Sequence, residues 1–353
     1  MSSRSQRAIT LVSSLLFFTC AESPTEPHGP RDSLKAAVDE TVRTAEDQGF
    51  SGTVLVTADG ALLVTSSHGM ADRAAGTPNG PGTAFDFGSV MKDFTAAAIF
   101  DLADEGSLSI DDTLADVLPD VPADKAGITL RQILEHKAGF HEYHDTEGDF
   151  EPMSRLEARE RIFAQELLFE PGTEEAYSNS GFTLLADIVE TIAGRPFQSY
   201  VRDELMAPAK MVESGFYGDP IWDEVDTAIG YGGSTFVEND PATWPLTWAL
   251  VGNGGLVTTA RDLDRWLVAV RAGDVLSSAA FDAYEQGYLA LGSAEVDGVT
   301  LFAFAGAGDY GLGGAAIECP ELGSRVVVGT NDDEAFDIEG FVVELGSLVC
   351  APP

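Results

Sequence analysis

The stretch that decides the fold of this chain is residues 86–95, which read DFGSVMKDFT and open a long apolar segment. Residues 90–103 are almost continuously apolar up to Gly106, a pattern that predicts a helix buried on every side. Because a helix has about 3.6 residues per turn, side chains three positions apart share one face. We therefore expect the Ser89 hydroxyl and the Lys92 amine to meet at the first turn.

This pairing indicates a nucleophile that needs no histidine. Burial and the positive end of the helix dipole both disfavour an ammonium ion, so Lys92 is expected to take the proton of Ser89. A serine three residues before a lysine is a weak signal by itself. Further support comes from Tyr177-Ser178-Asn179. A tyrosine hydroxyl can relay protons, and an asparagine amide can hold both a lysine and a substrate carbonyl.

Strand patterns occur at the two ends of the chain and helical patterns lie between them. A hairpin is predicted at residues 52–58 and 61–67, around the turn dipeptide Asp59-Gly60. Further strands are predicted at residues 299–305, 313–319 and 325–330. Helices are predicted from Ser33 to Gly49, at 129–136, 154–168, 180–193, 197–206 and 260–271, and from Asn331 onward. This order predicts an α+β fold: one antiparallel β-sheet built from both termini and flanked by helices, with an inserted all-α domain.

With these stretches in view, the sequence resembles the serine β-lactamase and penicillin-binding superfamily, in particular its class C-like branch. The segments that carry the resemblance occur in family order: FGSVMKDFTAAAIFDLADEGSLSIDDTL, ITLRQILEHKAGF, FEPGTEEAYSNSGFTLLADIVETIAGRPF, AIGY and GNGGLVTTARDLDRWLVAV. It covers roughly residues 33–348 and implies a β-lactamase/transpeptidase-like fold with the site between sheet and helices. It also implies roles for four residues: Ser89 as the acylated nucleophile, Lys92 as its base, Tyr177 as the proton shuttle and Asn179 as the substrate-orienting group.

The chain departs from the family at the third motif, which is usually Lys or His, any residue, then Gly-Gly. The best match is Ala305-Gly306-Ala307-Gly308, so Ala305 replaces the cation. The resemblance implies that Ala305, Gly306 and Gly308 line the substrate site. It also implies that the backbone N–H groups of Ser89 and Gly308 form the oxyanion hole. Without the cation, and with Asp309 close by, a neutral ester or amide suits the site better than a carboxylate-bearing substrate.

The charge balance limits the partners. The chain has 58 acidic and 20 basic residues and a formal net charge of -38, which repels nucleic-acid phosphate and anionic lipid head groups. The acidity is typical of a heavily hydrated surface. We expect a small-molecule ester, amide or peptide as the partner, and no nucleic acid.

The N-terminus predicts export. Residues 1–21 have the charge, length and small-residue exit of a secretory signal peptide, residues 22–32 form a tether, and 33–350 the catalytic domain. Its sheet subdomain is expected at approximately 33–88 and 250–350, with a helical subdomain at 89–249. Cleavage after Ala21 would release the protein to the periplasm or exterior, whereas lipidation of Cys20 would anchor it. In that compartment Cys319 and Cys350 form either a disulfide or two buried thiols.

Three other patterns bear on function: a dinucleotide-binding motif, a hydrolase elbow and a cluster of metal-type ligands. Residues 306–311 spell G-x-G-x-x-G with Asp332 further on, but the glycines and proline that follow disfavour the helix that a dinucleotide site needs. No G-x-S-x-G elbow of an α/β-hydrolase occurs. A polar cluster has residues that metals favour: His136, His141, His144, Asp145, Glu147 and Asp149. Its histidines are one residue short of the H-E-x-x-H spacing, which favours a polar loop near the cleft, and we expect no metal and no cofactor.

The sequence thus predicts an exported serine hydrolase that forms an acyl-enzyme on Ser89 and cleaves an ester or amide. An esterase, a D-amino-acid peptidase and a β-lactamase are the candidate activities, in that order. The alternative is a catalytically weakened binding protein of the same fold, in which the loss of the cation at Ala305 has removed a needed charge.

Overall fold

The computed structural model describes residues 29–232, 239–333 and 335–351. The predicted signal peptide, Cys20 and residues 22–28 of the predicted tether lie outside the described residues. Among those that are described, no helix has the length and apolarity needed to cross a bilayer.

The central element is a six-stranded sheet in the order β2-β1-β11-β10-β9-β8, in which every neighbouring pair is antiparallel. Its strands are β1 (Gly52–Ala58), β2 (Ala61–His68), β8 (Ser293–Val296), β9 (Val299–Ala307), β10 (Gly313–Cys319) and β11 (Ser324–Thr330). Two small sheets are formed by β3 (Met70–Asp72), β4 (Thr77–Pro78), β5 (Phe85–Asp86), β6 (Ser214–Phe216) and β7 (Leu256–Thr258). Because β1 pairs with β11, the two ends of the chain close one sheet, which confirms the predicted fold class.

The helices are α1 (Pro30–Asp47), α2 (Met91–Asp104), α3 (Leu114–Val117), α4 (Leu130–Leu134), α5 (Arg155–Ala164), α6 (Asn179–Ala193), α7 (Phe197–Tyr200), α8 (Ala260–Ala272), α9 (Ser278–Gly287) and α10 (Ile338–Val349). A π-helical turn spans Val201–Met206, and 3₁₀ turns span Gly88–Val90, Pro220–Asp223, Leu289–Gly292, Asp309–Gly311 and Pro320–Leu322. The predicted hairpin is present, and Asp59 and Gly60 take the positive φ values of 52° and 72° that its turn requires.

Each face of the large sheet covers a separate core. On one face α1 and α10 pack on the strands and bury Val38, Phe50 and Phe341, a set that we name the terminal-helix core. On the other face lie α2 and α8, where Phe94 stacks on Trp266 within the larger helical core. Helix α2 is buried almost all round, as its apolar sequence predicts.

Two helix starts differ from the prediction. Helix α1 begins at Pro30 and not at Ser33, since proline lacks the N–H that the first turn leaves unpaired anyway. The closing helix begins at Ile338, capped by Asp337, and not at Asn331. The Asn331 side chain is instead buried, where its amide donates to the carbonyls of Met70 and Ile229. These distant acceptors hold Asn331 in a turn.

The two C-terminal cysteines form a disulfide, the first of the two predicted alternatives. Cys319 at the end of β10 is joined to Cys350, directly after α10, with 5.8 Å between the Cα atoms. Closing a loop with a sequence separation of 31 stabilises the fold by about 3–4 kcal/mol in the chain-entropy model. The bridge therefore fastens the last helix to the sheet.

Candidate active site

Ser89 lies in the 3₁₀ turn that leads into α2, and two side chains contact its hydroxyl. Lys92 Nζ lies 3.0 Å from Ser89 Oγ, and the Tyr177 hydroxyl donates to the same oxygen at 2.7 Å. The contact between Ser89 and Lys92 is the one that the helical spacing predicts. Tyr177 approaches from the loop before α6, 88 residues further along the chain. The structure thus brings the three predicted catalytic residues together.

Lys92 is almost completely enclosed, with 2% of its surface exposed. Burial lowers the pKa of its amine from 10.5 to about 7, although the charges of Asp149 and Glu142 act in the opposite direction. Nζ also donates to the backbone carbonyl of Asn253 at 2.8 Å. A neutral amine that donates to Asn253 keeps its lone pair for the Ser89 proton. Near neutral pH, Lys92 can therefore act as a base.

Tyr177 has the opposite tendency. Burial raises the pKa of its hydroxyl well above the usual range, so the group keeps its proton at neutral pH. The ring lies 4.8 Å from the ring of His136, whose pKa is lowered to about 3, first by burial and then by the Lys92 charge. Neutral His136 accepts a hydrogen bond from Ser178 N through Nδ1. His136 thus supports the Tyr177 loop and remains uncharged.

The role predicted for Asn179 is divided between two asparagines, Asn179 and Asn253. Asn179 makes no hydrogen bond to Lys92 within the described residues. Its backbone N–H donates to Glu142 O, and its side-chain Oδ1 has no hydrogen-bond partner within the described part of the chain. Asn253 instead holds Lys92 through its carbonyl, and its own amide donates to Thr183 Oγ1 at 2.8 Å. Asn179 lines the cleft beside Ser89, as predicted.

The predicted oxyanion donor at Gly308 is wrong, because the Gly308 N–H donates to Leu312 O at 2.9 Å. Backbone N–H groups alternate in direction along a strand, so the N–H of Ala307 points away from β10. The Ala307 backbone faces the Ser89 turn: a Cβ built on Gly88 would lie 2.5 Å from Ala307 O. The second donor is therefore assigned to Ala307, beside the N–H of Ser89.

Gly306 is required by the close approach of this strand to the serine. A Cβ at Gly306 would lie 2.0 Å from Phe87 O and 2.4 Å from Ser89 N. Contacts this short do not occur between real atoms, so any side chain here would move the Ser89 turn or β9. Gly306 lines the cleft, as predicted. A glycine is needed here because any larger residue would collide with the Ser89 turn.

Phe304 and Ala305, at the start of the third motif, pack against different cores. Side chains alternate between the faces of a strand, and Ala305 packs with Ala303 against the terminal-helix core. Phe304 lies on the opposite face, with Phe302, against the helical core. Ala305 nevertheless lines the cleft beside Ser89, as predicted. Phe304 and Ala305 both line a cavity that Ser89 and Lys92 also line.

The cleft around Ser89 carries negative charge. The carboxylates that line it are Asp86, Asp149, Asp333 and Glu339, and among the described lining residues of this cavity there is no lysine, arginine or histidine. Asp149 is the member of the predicted polar cluster that reaches the cleft. In the described ranges no group of three or more His, Cys, Asp or Glu side chains is placed to hold a metal ion. The G-x-G-x-x-G residues turn directly from β9 into β10, without the helix that a dinucleotide site requires.

Comparisons with known proteins agree with this geometry. The beta-lactamase family model matches residues 36–314, most of the chain. The chain belongs to the beta-lactamase family. This membership confirms the resemblance seen in the sequence.

Relatives within the family carry several names. The putative penicillin-binding protein PbpX of Bacillus subtilis (strain 168) is 29% identical over 237 residues, which cover 66% of this chain and 58% of that protein. A D-aminopeptidase of Brucella anthropi is 29% identical over 227 residues, 62% of this chain and 42% of that one. The chain thus spans about half the length of these curated relatives. The crystal structure of a penicillin-binding protein from Bacillus halodurans matches with a TM-score of 0.67 and 26% identity, covering 86% of this chain and 97% of that one.

Sequence reasoning missed three residues of this beta-lactamase-family site: Asn253, Phe304 and Ala307. Asn253 contributes a carbonyl, which every residue has, so no residue type could identify it. Phe304 and Ala307 could have been found from the alternation of side chains along strand residues 299–307. That alternation places Phe302 and Phe304 on one face of the strand and the alanines on the other.

Proposed function

We propose that the protein is a serine hydrolase that forms an acyl-enzyme on Ser89 and releases it with water. The observation that carries the proposal is the double contact of Ser89 Oγ with the Lys92 amine and the Tyr177 hydroxyl. The contacts lie at the base of a cleft, beside two backbone N–H groups that can take a carbonyl oxygen.

In the acylation step, the Ser89 proton moves to neutral Lys92 as Oγ bonds to the substrate carbonyl carbon. The N–H groups of Ser89 and Ala307 bind the oxygen that becomes negative. The bond from carbon to the leaving oxygen or nitrogen then breaks, and the leaving atom takes a proton from Tyr177. Tyr177 regains that proton from Lys92, so the products are the acyl-enzyme and a neutral alcohol or amine.

In deacylation, water attacks the acyl carbon and gives its proton to Lys92, which returns it to Ser89 Oγ as the ester bond breaks. The whole cycle adds one water to one ester or amide. Lys92 is the base because its pKa is lowered to about 7, whereas burial raises the pKa of Tyr177. Tyr177 is left to relay protons.

A neutral ester is the first candidate substrate. The carboxylates that line the cleft and the apolar side chain of Phe304 both disfavour an anionic group. A peptide with a D-amino acid is second, a reading that the D-aminopeptidase relative supports, and a β-lactam is third. We also propose export to the periplasm or exterior, supported by the sequence of residues 1–21 and by the disulfide.

The alternative is a binding protein that has the fold and the cleft but turns over poorly. It is favoured by one observation, that the Lys or His usual in the family's third motif has no counterpart among residues 304–308. The intact contacts among Ser89, Lys92 and Tyr177 favour the enzyme, because a site without chemistry has no physical need for a buried lysine.

Labelling with a fluorophosphonate probe tests the proposal. We expect the wild-type protein to be labelled at Ser89, Ser89→Ala to lose the label, and the exposed-serine control Ser347→Ala to keep it. Turnover of p-nitrophenyl acetate and nitrocefin by the same preparations ranks the substrates. Labelling that survives in Ser89→Ala, or a wild-type protein unlabelled at every pH tested, would overturn the proposal, and the second result would favour the binding protein.

A further inference from the structure

A second cavity opens beside Ser89, with a volume of about 140 Å³. Ser89, Tyr177 and Ala305 line both this cavity and the cleft, whereas Asn179 lines only the cleft and Lys92 only the second cavity. The reacting serine therefore lies between two spaces of different composition, and a substrate that spans it must place one part in each.

The second cavity is mainly apolar. Its hydrophobic walls are Val90, Tyr288, Leu289, Leu291, Ala303, Phe304 and Ala305. Leu291 is 45% exposed, an unusually open position for a leucine at the edge of a cavity. An apolar group entering here would cover Leu291 and remove it from water.

The polar groups of this cavity offer nothing to an anion. Asp93 accepts hydrogen bonds from Trp266 Nε1 at 2.6 Å and from the Tyr284 hydroxyl, so its carboxylate is held in the wall. Glu175 is exposed and lies at the rim. The basic side chains are His136, which is uncharged because burial lowers its pKa, and Lys92, whose amine already contacts Ser89 and the Asn253 carbonyl. A negatively charged substrate group would meet two carboxylates and no unoccupied cation.

The positions of the oxyanion donors and of the proton donor decide which part of the substrate enters the second cavity. The two oxyanion donors and Asn179 line the cleft, which places the carbonyl oxygen and the acyl chain there. The leaving atom must take its proton from the Lys92–Tyr177 pair, of which Tyr177 borders both spaces and Lys92 lines only the second cavity. The group that departs with that atom therefore extends toward Phe304.

We infer that the second cavity binds an uncharged, apolar leaving group about the size of a phenyl ring, an inference that rests on the proposed function. A cavity of about 150 Å³ lined by aliphatic and aromatic side chains is known to take benzene, which matches the volume here. In the step concerned, the bond from acyl carbon to the phenolic oxygen breaks. That oxygen takes the Tyr177 proton, and phenol leaves as the acyl group remains on Ser89.

Two acetate esters with the same acyl group test this inference: phenyl acetate and 4-acetoxybenzoate, whose leaving group carries a carboxylate. We expect the wild-type kcat/KM to favour phenyl acetate by about tenfold or more. Phe304→Lys should shift the ratio toward 4-acetoxybenzoate by about tenfold or more. Leu62→Lys, at a β2 position that is 61% exposed and lines neither space, is the matched control and should leave the ratio as it is.

A second pair of variants covers the case in which Phe304→Lys does not fold. Leu291→Ala at the exposed edge should raise the KM for phenyl acetate several-fold, whereas Leu62→Ala, exposed on β2, should not change it. Equal kcat/KM values for the two esters in the wild-type protein would overturn the inference, as would a ratio that moves with Leu62→Lys and not with Phe304→Lys. Fluorophosphonate labelling of each preparation separates the failures. If the protein is labelled but its kcat/KM values for the two esters are equal, only this inference is contradicted. If the wild-type protein is not labelled, both this inference and the proposed function are contradicted.

Discussion

Two walls meet at Ser89, and they depend on different kinds of contact. The helix wall consists of Ser89 and Lys92, and three residues of spacing were enough to predict a contact that the structure gives as 3.0 Å. The strand wall is residues 304–308, where the predicted register was one residue off. Helical geometry is local, whereas the direction of a strand residue depends on its partner strand. A short motif therefore predicts a helix wall far better than a strand wall.

The two walls also differ in what their side chains do. The helix wall carries the groups that move protons, and a buried lysine destabilises the fold wherever it is charged. The strand wall carries backbone donors and Phe304, which shape the space around the substrate. Substitutions in the helix wall should therefore abolish turnover, whereas those in the strand wall should change geometry and selectivity.

The largest effect is expected in the helix wall, from Lys92→Met. Removing the base should lower kcat/KM for phenyl acetate by about 10²- to 10⁴-fold, in comparison with the exposed-lysine control Lys35→Met. Steady-state kinetics on both variants measures this. A Lys92→Met enzyme with near wild-type turnover would show that the helix wall does not supply the base.

The same substitution should stabilise the protein. The folded state lowers the pKa of Lys92 from 10.5 to about 7, so the unfolded chain binds this proton more tightly. The resulting cost is complete below pH 7 and disappears as the pH rises toward 10.5. Thermal melts should accordingly show that Lys92→Met raises Tm most at or below pH 7, and a gain that grows with pH would contradict the assignment.

An intermediate effect is expected in the strand wall, from Gly306→Ala. The new Cβ would lie 2.4 Å from Ser89 N, so one of the oxyanion donors must move. We expect kcat to fall by about 10²- to 10³-fold, the usual result of losing one donor. Gly127→Ala is the control, because a Cβ there meets nothing within 4 Å. Unchanged kcat in Gly306→Ala would mean that β9 lies further from the serine than described.

The smallest effect is expected from Asp149, whose charge lies on neither wall but shifts the pH dependence of turnover. As Lys92 loses its proton with a pKa of about 7, kcat/KM should rise with pH through that value. Asp149 raises this pKa, so Asp149→Asn should move the midpoint to lower pH, whereas Asp297→Asn in the distant β8–β9 turn should not. A midpoint that moves to higher pH in Asp149→Asn would reverse the sign of the electrostatic argument.

Local sequence patterns determined much of this protein. The apolar run after Ser89 predicted α2, the Asp59-Gly60 turn predicted the hairpin, and strands at both ends predicted a sheet closed by the two termini. These features follow from helical periodicity and turn geometry, which act over a few residues. The contacts of Ser89 with Lys92 and Tyr177 were also predicted, one from spacing and one from the family resemblance.

Only the tertiary structure decided the rest. The carbonyl that orients Lys92 comes from Asn253, 161 residues away, and no side chain marks it in the sequence. The pairing of β9 with β10 turned the Gly308 N–H into the sheet and left Ala307 to face the serine. The same pairing set Phe304 against the helical core, on the face of β9 that lines the second cavity. Strand direction and backbone acceptors are set by long-range packing, because every residue offers the same N–H and C=O until the fold chooses among them.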